Sequence, residues 1–533
     1  MSSASSLNFF PGAKAWNIPE PIMIFSGALI FFLFSLVANF SASHDSITYL
    51  DGIVKGKDLF HQHHLLYHIT AHYWLRLFQR VFPAIQDFYL VESFTAIWGA
   101  GSLAVVYSFF RFRFFLPVIQ SVTGVTIIAF SFGMWFYSTN VEVYASSVFF
   151  ILMALYYLSR NSLSGNTVII ISFLHCMAIL FHQINILFTL VILYVFWKHR
   201  RNIPFLPSIL KYFITGVILV GGLYVYIGWF VEGHNSTPEW LKWVMGYADG
   251  HSYWQPLSIK TPFNVLVGFS HAFIGGHFIF QLPFVRDYMS SSFRSHGFAD
   301  EIFLSRNLSV STAWILMLFS FLLAVIVVVI VIRFIRNFRQ IKLKFGNTVS
   351  PFILCLAVYS LFFCFWMPEI LEFWILQSVL VWMLLIGTMP YMGKLYSRGL
   401  LLSISLFLLS VNYFGSMRWL QLTENDWYYK QAMIINDELT EKDLVILQDP
   451  WILDKYFSYL SKAAVEAAPT GNSSWKHSNH SIMAVQENNG RIFIFRVENP
   501  RGEIKDTRFI DSLLTIYPAS KKFKNTRNVW VIE

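Results

Sequence analysis

Of the chain's 533 residues, 56% are hydrophobic and only 13% charged, and 55 are Phe, a balance that excludes a single water-soluble core and points to a polytopic membrane protein. The net charge of +9 sits in short Lys/Arg clusters between apolar runs, so it reports topology and argues against a nucleic-acid partner. The three cysteines, Cys176, Cys355 and Cys364, all fall in apolar runs and imply neither a disulfide framework nor a cysteine metal site.

The first apolar run, Ile22 to Phe40, is too long for a signal-peptide core and has no small-residue cleavage pattern, so it reads as a retained first span. Further spans are expected over 88–110, 115–134, 140–158, 166–182, 184–198, 208–230, 312–333, 351–367, 370–389 and 399–420, about eleven in all. Lys14, Arg111, Arg113, Arg160, Lys198 to Arg201, Arg333 to Lys344, Lys394 and Arg398 then share one side, cytoplasmic by the positive-inside rule. On this reading residues 1–21 are cytoplasmic. A membrane domain follows over 22–420, with a first outer loop at 41–87 and a long outer loop at 231–311.

This sidedness requires that 63–82 does not span. His64, His68, His72, Arg76 and Arg80 recur every four residues there, while Leu65, Ile69, Tyr73, Leu77 and Phe78 supply apolar surface, the pattern of a juxtamembrane helix lying in the interface. The long outer loop is aromatic and Gly/Pro-punctuated, with a partly apolar helix near Phe263 to Phe280 suited to a lid. After Trp419 the sequence turns polar. Helix-like stretches (Asp426 to Leu439, Trp451 to Val465, Asp506 to Tyr517) alternate with β-rich runs (Leu444 to Leu447, Arg491 to Val497, Val529 to Ile532), predicting a small soluble α/β domain over 421–533 outside the membrane. There is no evident internal repeat, which disfavours an inverted-repeat transporter.

Polar chemistry beside lipid is costly and usually functional. Asp45, Glu92, Glu142, His182, Glu369 and Glu372 all fall on the outer side, and the first outer loop adds His44, His61, His63, His64 and His68. A carboxylate beside imidazoles and cations suits group transfer from a lipid phosphate: the carboxylate accepts a proton from an acceptor hydroxyl, and donors stabilise the departing phosphate. Asp45, just beyond the first span, is the expected base; the bland alternative is that it caps the helix beginning at Ser46. The histidine stripe admits three readings. Protonated imidazoles with Arg76 or Arg80 would grip phosphate, His64 and His68 have one-turn zinc spacing, or the stripe merely keeps an interfacial helix wet. Glu142 in Trp135 to Tyr144 and Glu369 and Glu372 in Trp366 to Trp374 are carboxylates ringed by aromatics, as at sugar-binding surfaces or in an interface belt. His182 contacts either donor phosphate or a neighbouring helix.

Asp45-Ser46 heading the outer loop, Phe60-His61-Gln62-His63-His64-Leu65-Leu66-Tyr67, Val141-Glu142-Val143-Tyr144 and Trp366…Pro368…Glu372-Phe373-Trp374 occur in an order that resembles the C-type membrane glycosyltransferase superfamily. Within it, the chain looks closest to the bacterial protein O-mannosyltransferase and aminoarabinose transferase group. The resemblance implies an inverting transferase that takes sugar from a polyprenyl-phosphate donor, with Asp45 as base. His44, His61, His63, His64, His68, Glu142, His182, Glu369 and Glu372 would bind donor phosphate and sugar. Related sequences often carry proline where this chain has Gln62. The resemblance also implies no cofactor, with a divalent metal not favoured; the sequence leaves a lipid, a glycan or a protein as acceptor, and its lack of obvious retention or targeting signals favours a bacterial inner membrane. The competing readings are a transporter or flippase, a membrane acyltransferase and a non-catalytic scaffold.

Overall fold

The computed structural model describes residues 19–246, 253–292, 299–393, 397–448, 450, 452–468, 475–498, 508–517 and 520–532. Lys14, Lys394, Trp451 and Asp506 of the sequence reading lie outside the described residues. The chain is mostly helical and is an integral, multi-pass membrane protein. Asp87–Phe112, Phe205–Val231, Val310–Phe363, Leu371–Tyr391 and Arg398–Leu420 are each long and apolar enough to cross a membrane. The bent pair Val118–Ala129 and Phe132–Ser138 makes a sixth candidate crossing. The other expected spans correspond to shorter apolar helices, Glu20–Leu33, Tyr144–Leu158, Gly165–Phe181 and Gln183–Lys198.

Eight helices frame the site: α1 (Glu20–Leu33), α2 (Asp45–Lys55), α3 (Tyr67–Val81), α4 (Asp87–Phe112), α5 (Val118–Ala129), α6 (Phe132–Ser138), α7 (Tyr144–Leu158) and α8 (Gly165–Phe181). The first expected span, 22–40, is helical only through Leu33 and then unwinds. The next break comes between α5 and α6, which meet at 73°. The unwound stretch after Leu33 is satisfied by the backbone beyond α6 and by a later helix: Val37 N donates to Thr139 O at 2.9 Å, and Ala38 N donates to Leu420 O at 2.9 Å. Non-helical backbone near lipid is tolerated when it is buried in protein in this way.

The expected spans 312–333 and 351–367 are not separated by a loop. They form one 54-residue helix, Val310–Phe363, interrupted at Phe345 (φ −118°, ψ 22°). Its contour of about 80 Å far exceeds the hydrocarbon core, so Arg333 to Lys344 remain helical beyond it. Pro351 cannot donate to the carbonyl four residues earlier and so weakens the helix next to the break.

The C-terminal unit is a five-stranded sheet: β1 (Leu444–Gln448), β2 (Ala464–Ala468), β3 (Ile492–Arg496), β4 (Lys521–Lys522) and β5 (Val529–Ile532), in the order β2-β1-β3-β5-β4. β2, β1 and β3 run parallel; β5 is antiparallel to β3 and β4. Alternation splits the strands between two cores. Val445, Leu447, Phe493 and Phe495 join the main core with Tyr456 and Phe457, whereas Leu444, Ile446, Ile492 and Ile494 pack on Ile482, Ile510 and Leu513. The expected helix 451–465 is shorter, Leu453–Leu460, because the Ala-rich segment after it pairs with β1 as β2.

Candidate active site

Asp45 opens α2 immediately after the unwound end of the first span. It does not cap the helix. The N-cap residue is His44, with no side-chain cap, and the Ser43 hydroxyl accepts from Ser46 N at 3.3 Å instead. His44 is held at φ 60°, a conformation uncommon outside glycine, and its Nε2 lies 3.2 Å from Asp300 Oδ2 in the long outer loop. Burial alone would depress its imidazole, but the Asp300 carboxylate, aided by Glu301 and Asp45, holds it above the ordinary histidine value. Asp45 is exposed, yet the protein mass around it raises its carboxyl above the ordinary range against the opposing pull of His44 and the Tyr49 hydroxyl. That combination is expected of a group lining an open concavity.

The second carboxylate arrives through the loop between α6 and α7. Ser46 Oγ donates to Asn140 Oδ1 at 2.9 Å and to Val141 O at 3.1 Å, which seats the start of α2 on this loop. Glu142 is 1% exposed; its Oε2 accepts from Val143 N at 3.3 Å, and its Oε1 has no hydrogen-bond partner among the described residues. The third carboxylate is Glu372, which accepts from the Tyr144 hydroxyl at 2.7 Å and the Tyr137 hydroxyl at 3.3 Å. Asp45, Glu142 and Glu372 act on one another electrostatically. Glu369 turns away, accepting from Gln255 Nε2 at 3.0 Å, where the long outer loop is stitched down by Gln255 N donating to Phe365 O at 2.8 Å.

The histidines gather differently from the predicted stripe. α3 begins at Tyr67, so His61, His63 and His64 lie in the preceding turn, while His68 and His72 are on the helix. The turn stacks His61 on His64 with centroids 4.3 Å apart and planes 9° apart, and His68 meets His64 edge-on at 4.9 Å. His72 and Arg76 stand outside this cluster. His72 Nδ1 lies 2.6 Å from Ile53 O and Arg76 donates to Val54 O at 3.1 Å, so both satisfy carbonyls at the end of α2. Backbone bonds from Gln183 N to His63 O (2.7 Å) and from Leu66 N to Leu180 O (3.0 Å) fix the turn on the end of α8. That brings His182 into electrostatic range of His63 and His64, and its ring lies 5.1 Å from that of Tyr144. The Gln62 carbonyl accepts from Tyr224 at 2.6 Å.

Burial disfavours the charged form of the imidazoles in this turn. Burial lowers His61, takes His68 down to about 4 and His63 down to about 2; burial and the neighbouring rings push His64 well down. His61 Nδ1, His64 Nε2 and His68 Nε2 are buried with no hydrogen-bond partner among the described residues. A neutral imidazole can still donate one N–H to a phosphate oxygen. No three His, Cys, Asp or Glu side chains among the described residues gather so as to hold a metal ion.

Sequence reasoning missed four groups. Tyr49, one turn after Asp45, donates its hydroxyl to Asp45 Oδ2 at 3.4 Å while its ring lies 5.0 Å from His64 and 4.8 Å from His68. The one-turn spacing from Asp45 was a usable signal. Tyr137 and Tyr144 stood within the aromatic run around Glu142 but look like sugar platforms until their hydroxyls are seen on Glu372. Asp300 carries no local signal.

No family model matches the sequence, and no curated protein matches it. The chain is similar in structure to two crystal structures of ArnT from Cupriavidus metallidurans, one in the apo state and one bound to undecaprenyl phosphate. Identity is 12% and 10%, the TM-score is 0.47 for each, and both cover 96% of this chain and 97% of the other.

Proposed function

We propose that the chain is an inverting membrane glycosyltransferase that moves a sugar from a polyprenyl-phosphate donor to an acceptor hydroxyl at the extracytoplasmic face. Asp45 takes the hydroxyl proton as the acceptor oxygen attacks the anomeric carbon; the bond from that carbon to the phosphate oxygen breaks, and the phosphate leaves with the electron pair. His61 and His64 donate to the departing phosphate, with His68 held behind them by its Nδ1 donating to Asp58 O at 3.2 Å, while Glu142 and Glu372 face the sugar hydroxyls. Glu369 holds the outer loop, and His44 steers the start of α2. The site lies in a bacterial inner membrane, with the N-terminus cytoplasmic and the C-terminal α/β unit outside.

The observation that carries this reading is Tyr49, whose hydroxyl meets the proposed base while its ring meets the imidazoles, so that one side chain joins proton acceptor and phosphate donors. The motif order in the sequence resembles the same chemistry. The test is transfer of radiolabelled sugar from a panel of polyprenyl-phosphate sugars in membranes holding the native chain or Asp45→Asn, with both checked by detergent-stable size exclusion. Transfer lost only in the variant supports the proposal; equal transfer removes Asp45 as base.

A transporter is the second reading, favoured by Glu92 of α4, fully buried with both carboxylate oxygens lacking a partner among the described residues. It predicts uptake that Glu92→Gln abolishes, with no sugar transfer from any donor.

A further inference from the structure

At the far end of the bundle from the candidate active site, the break at Phe345 borders a cavity of about 590 Å³. α4 joins the two ends: Thr95 bonds Tyr67 beside the histidine turn, and about 27 Å further along the helix Arg113 reaches the cavity. Arg113, Lys198, Arg339, Lys342 and Lys344 line it, and no carboxylate does. None of the five is ion-paired among the described residues.

Part of this charge has a structural use. Lys198 Nζ donates to Gly346 O at 2.9 Å, covering backbone freed at the break, and Lys344 Nζ reaches the Tyr391 hydroxyl at 2.5 Å. Arg113 donates to Tyr156 O at 3.1 Å and stacks on the Tyr156 ring at 4.4 Å, but its buried Nε has no partner among the described residues, and Lys342 is close enough to Lys198 for their charges to repel. The positive-inside tendency accounts for the sign of these residues but not for their convergence from three distant segments on one concavity. Like charges within low-dielectric walls focus a positive potential that an anion relieves. Phe115 (71% exposed) and Leu343 (82% exposed), both lining residues, add apolar surface suited to a hydrocarbon chain.

We propose that this cavity binds the phosphate headgroup of an anionic membrane lipid, at a site separate from the candidate active site. The test uses the full-length protein, delipidated in detergent, with phosphatidylglycerol added back and bound lipid counted by native mass spectrometry. The native chain is compared with the double variant Arg339→Gln, Lys342→Gln, whose two positions are exposed. The expected result is retention of phosphatidylglycerol by the native chain and affinity at least tenfold weaker in the variant, because each cation near a headgroup contributes independently. Should the double variant lose its monodisperse elution, Lys342→Gln alone, expected about fivefold weaker, decides the question in the same way. Displacement by millimolar inorganic phosphate would assign the site to free phosphate and overturn its lipid assignment; resistance supports the lipid. Equal retention by native and variant chains overturns the proposal.

Discussion

The Tyr49 hydroxyl stands 3.4 Å from Asp45 Oδ2 while the Tyr49 ring lies edge-on to His64 at 5.0 Å. Because the two residues are one turn apart on α2, rotation or fraying of that helix start moves the carboxylate and the imidazole contacts together. A hydrogen bond to the charged form of Asp45 lowers its pKa, opposing the effect of burial. Tyr49→Phe removes that bond and raises the carboxyl further. Activity that requires ionised Asp45 then shows its acid limb displaced to higher pH. Rate against pH for the two proteins checks this, and coincident limbs would dissociate Tyr49 from the base.

His61→Ala and His64→Ala remove imidazoles whose Nδ1 and Nε2, respectively, have no described partner, so donor affinity is expected to fall about 10-fold to 100-fold in each. Arg76→Ala breaks only a bond to the Val54 carbonyl and is expected to leave donor KM unchanged. Donor titrations across the three variants separate phosphate binding from interfacial anchoring. A KM defect in Arg76→Ala alone would restore the helical stripe as the phosphate ligand.

Much of this architecture was legible because lipid imposes it. Long apolar runs and the β-rich runs at Leu444 and Val529 follow from local composition. What the sequence concealed depends on distant partners. Unwinding after Leu33 is stabilised by Thr139 and Leu420, which no local pattern announces. Four-residue spacing suggested a helix through His64, but tertiary bonds to Leu180 and Gln183 hold that segment as a turn, converting a stripe into a stacked cluster. Glu369 and Glu372 are three residues apart and equally ringed by aromatics, and only the position of Gln255 and of the two tyrosines separates their roles.

Glu372 accepts from two tyrosines, and Tyr144 also carries the ring facing His182, so the two contacts test different functions. Tyr144→Phe keeps the ring and removes one hydroxyl. It is expected to cost about 1–2 kcal/mol in transition-state stabilisation, a drop of roughly fivefold to thirtyfold in kcat/KM. Glu372→Gln replaces an acceptor on both hydroxyls and should cost more. Steady-state kinetics decide it: a larger defect in Tyr144→Phe than in Glu372→Gln would show that the tyrosine acts independently of the carboxylate.

The C-terminal unit holds α2 from behind, and Asp426 is the centre of that hold. Its Oδ2 accepts from Phe40 N at 3.0 Å and the Tyr456 hydroxyl at 2.5 Å, and its Oδ1 accepts from Tyr429 N at 2.9 Å; nearby, Ser458 Oγ donates to Asp51 of α2 at 2.9 Å. Burial outweighs these donors and raises the Asp426 carboxyl to about 6. A carboxyl raised on folding contributes stability that is full below its unfolded value of about 3.9 and is lost as pH rises through about 6. The histidine turn runs the other way, since imidazoles lowered on folding contribute stability above their ordinary value that is lost as pH falls, for His68 through about 4. The two trends overlap between roughly pH 4 and 7, so the informative quantity is the difference between native and Asp426→Asn melting midpoints. Asn places an NH₂ where a donor already points and is expected to cost about 1–3 kcal/mol. The native advantage should be largest near pH 4 and shrink toward pH 7, whereas a constant difference across that range would mean that Asp426 stays ionised in its buried position.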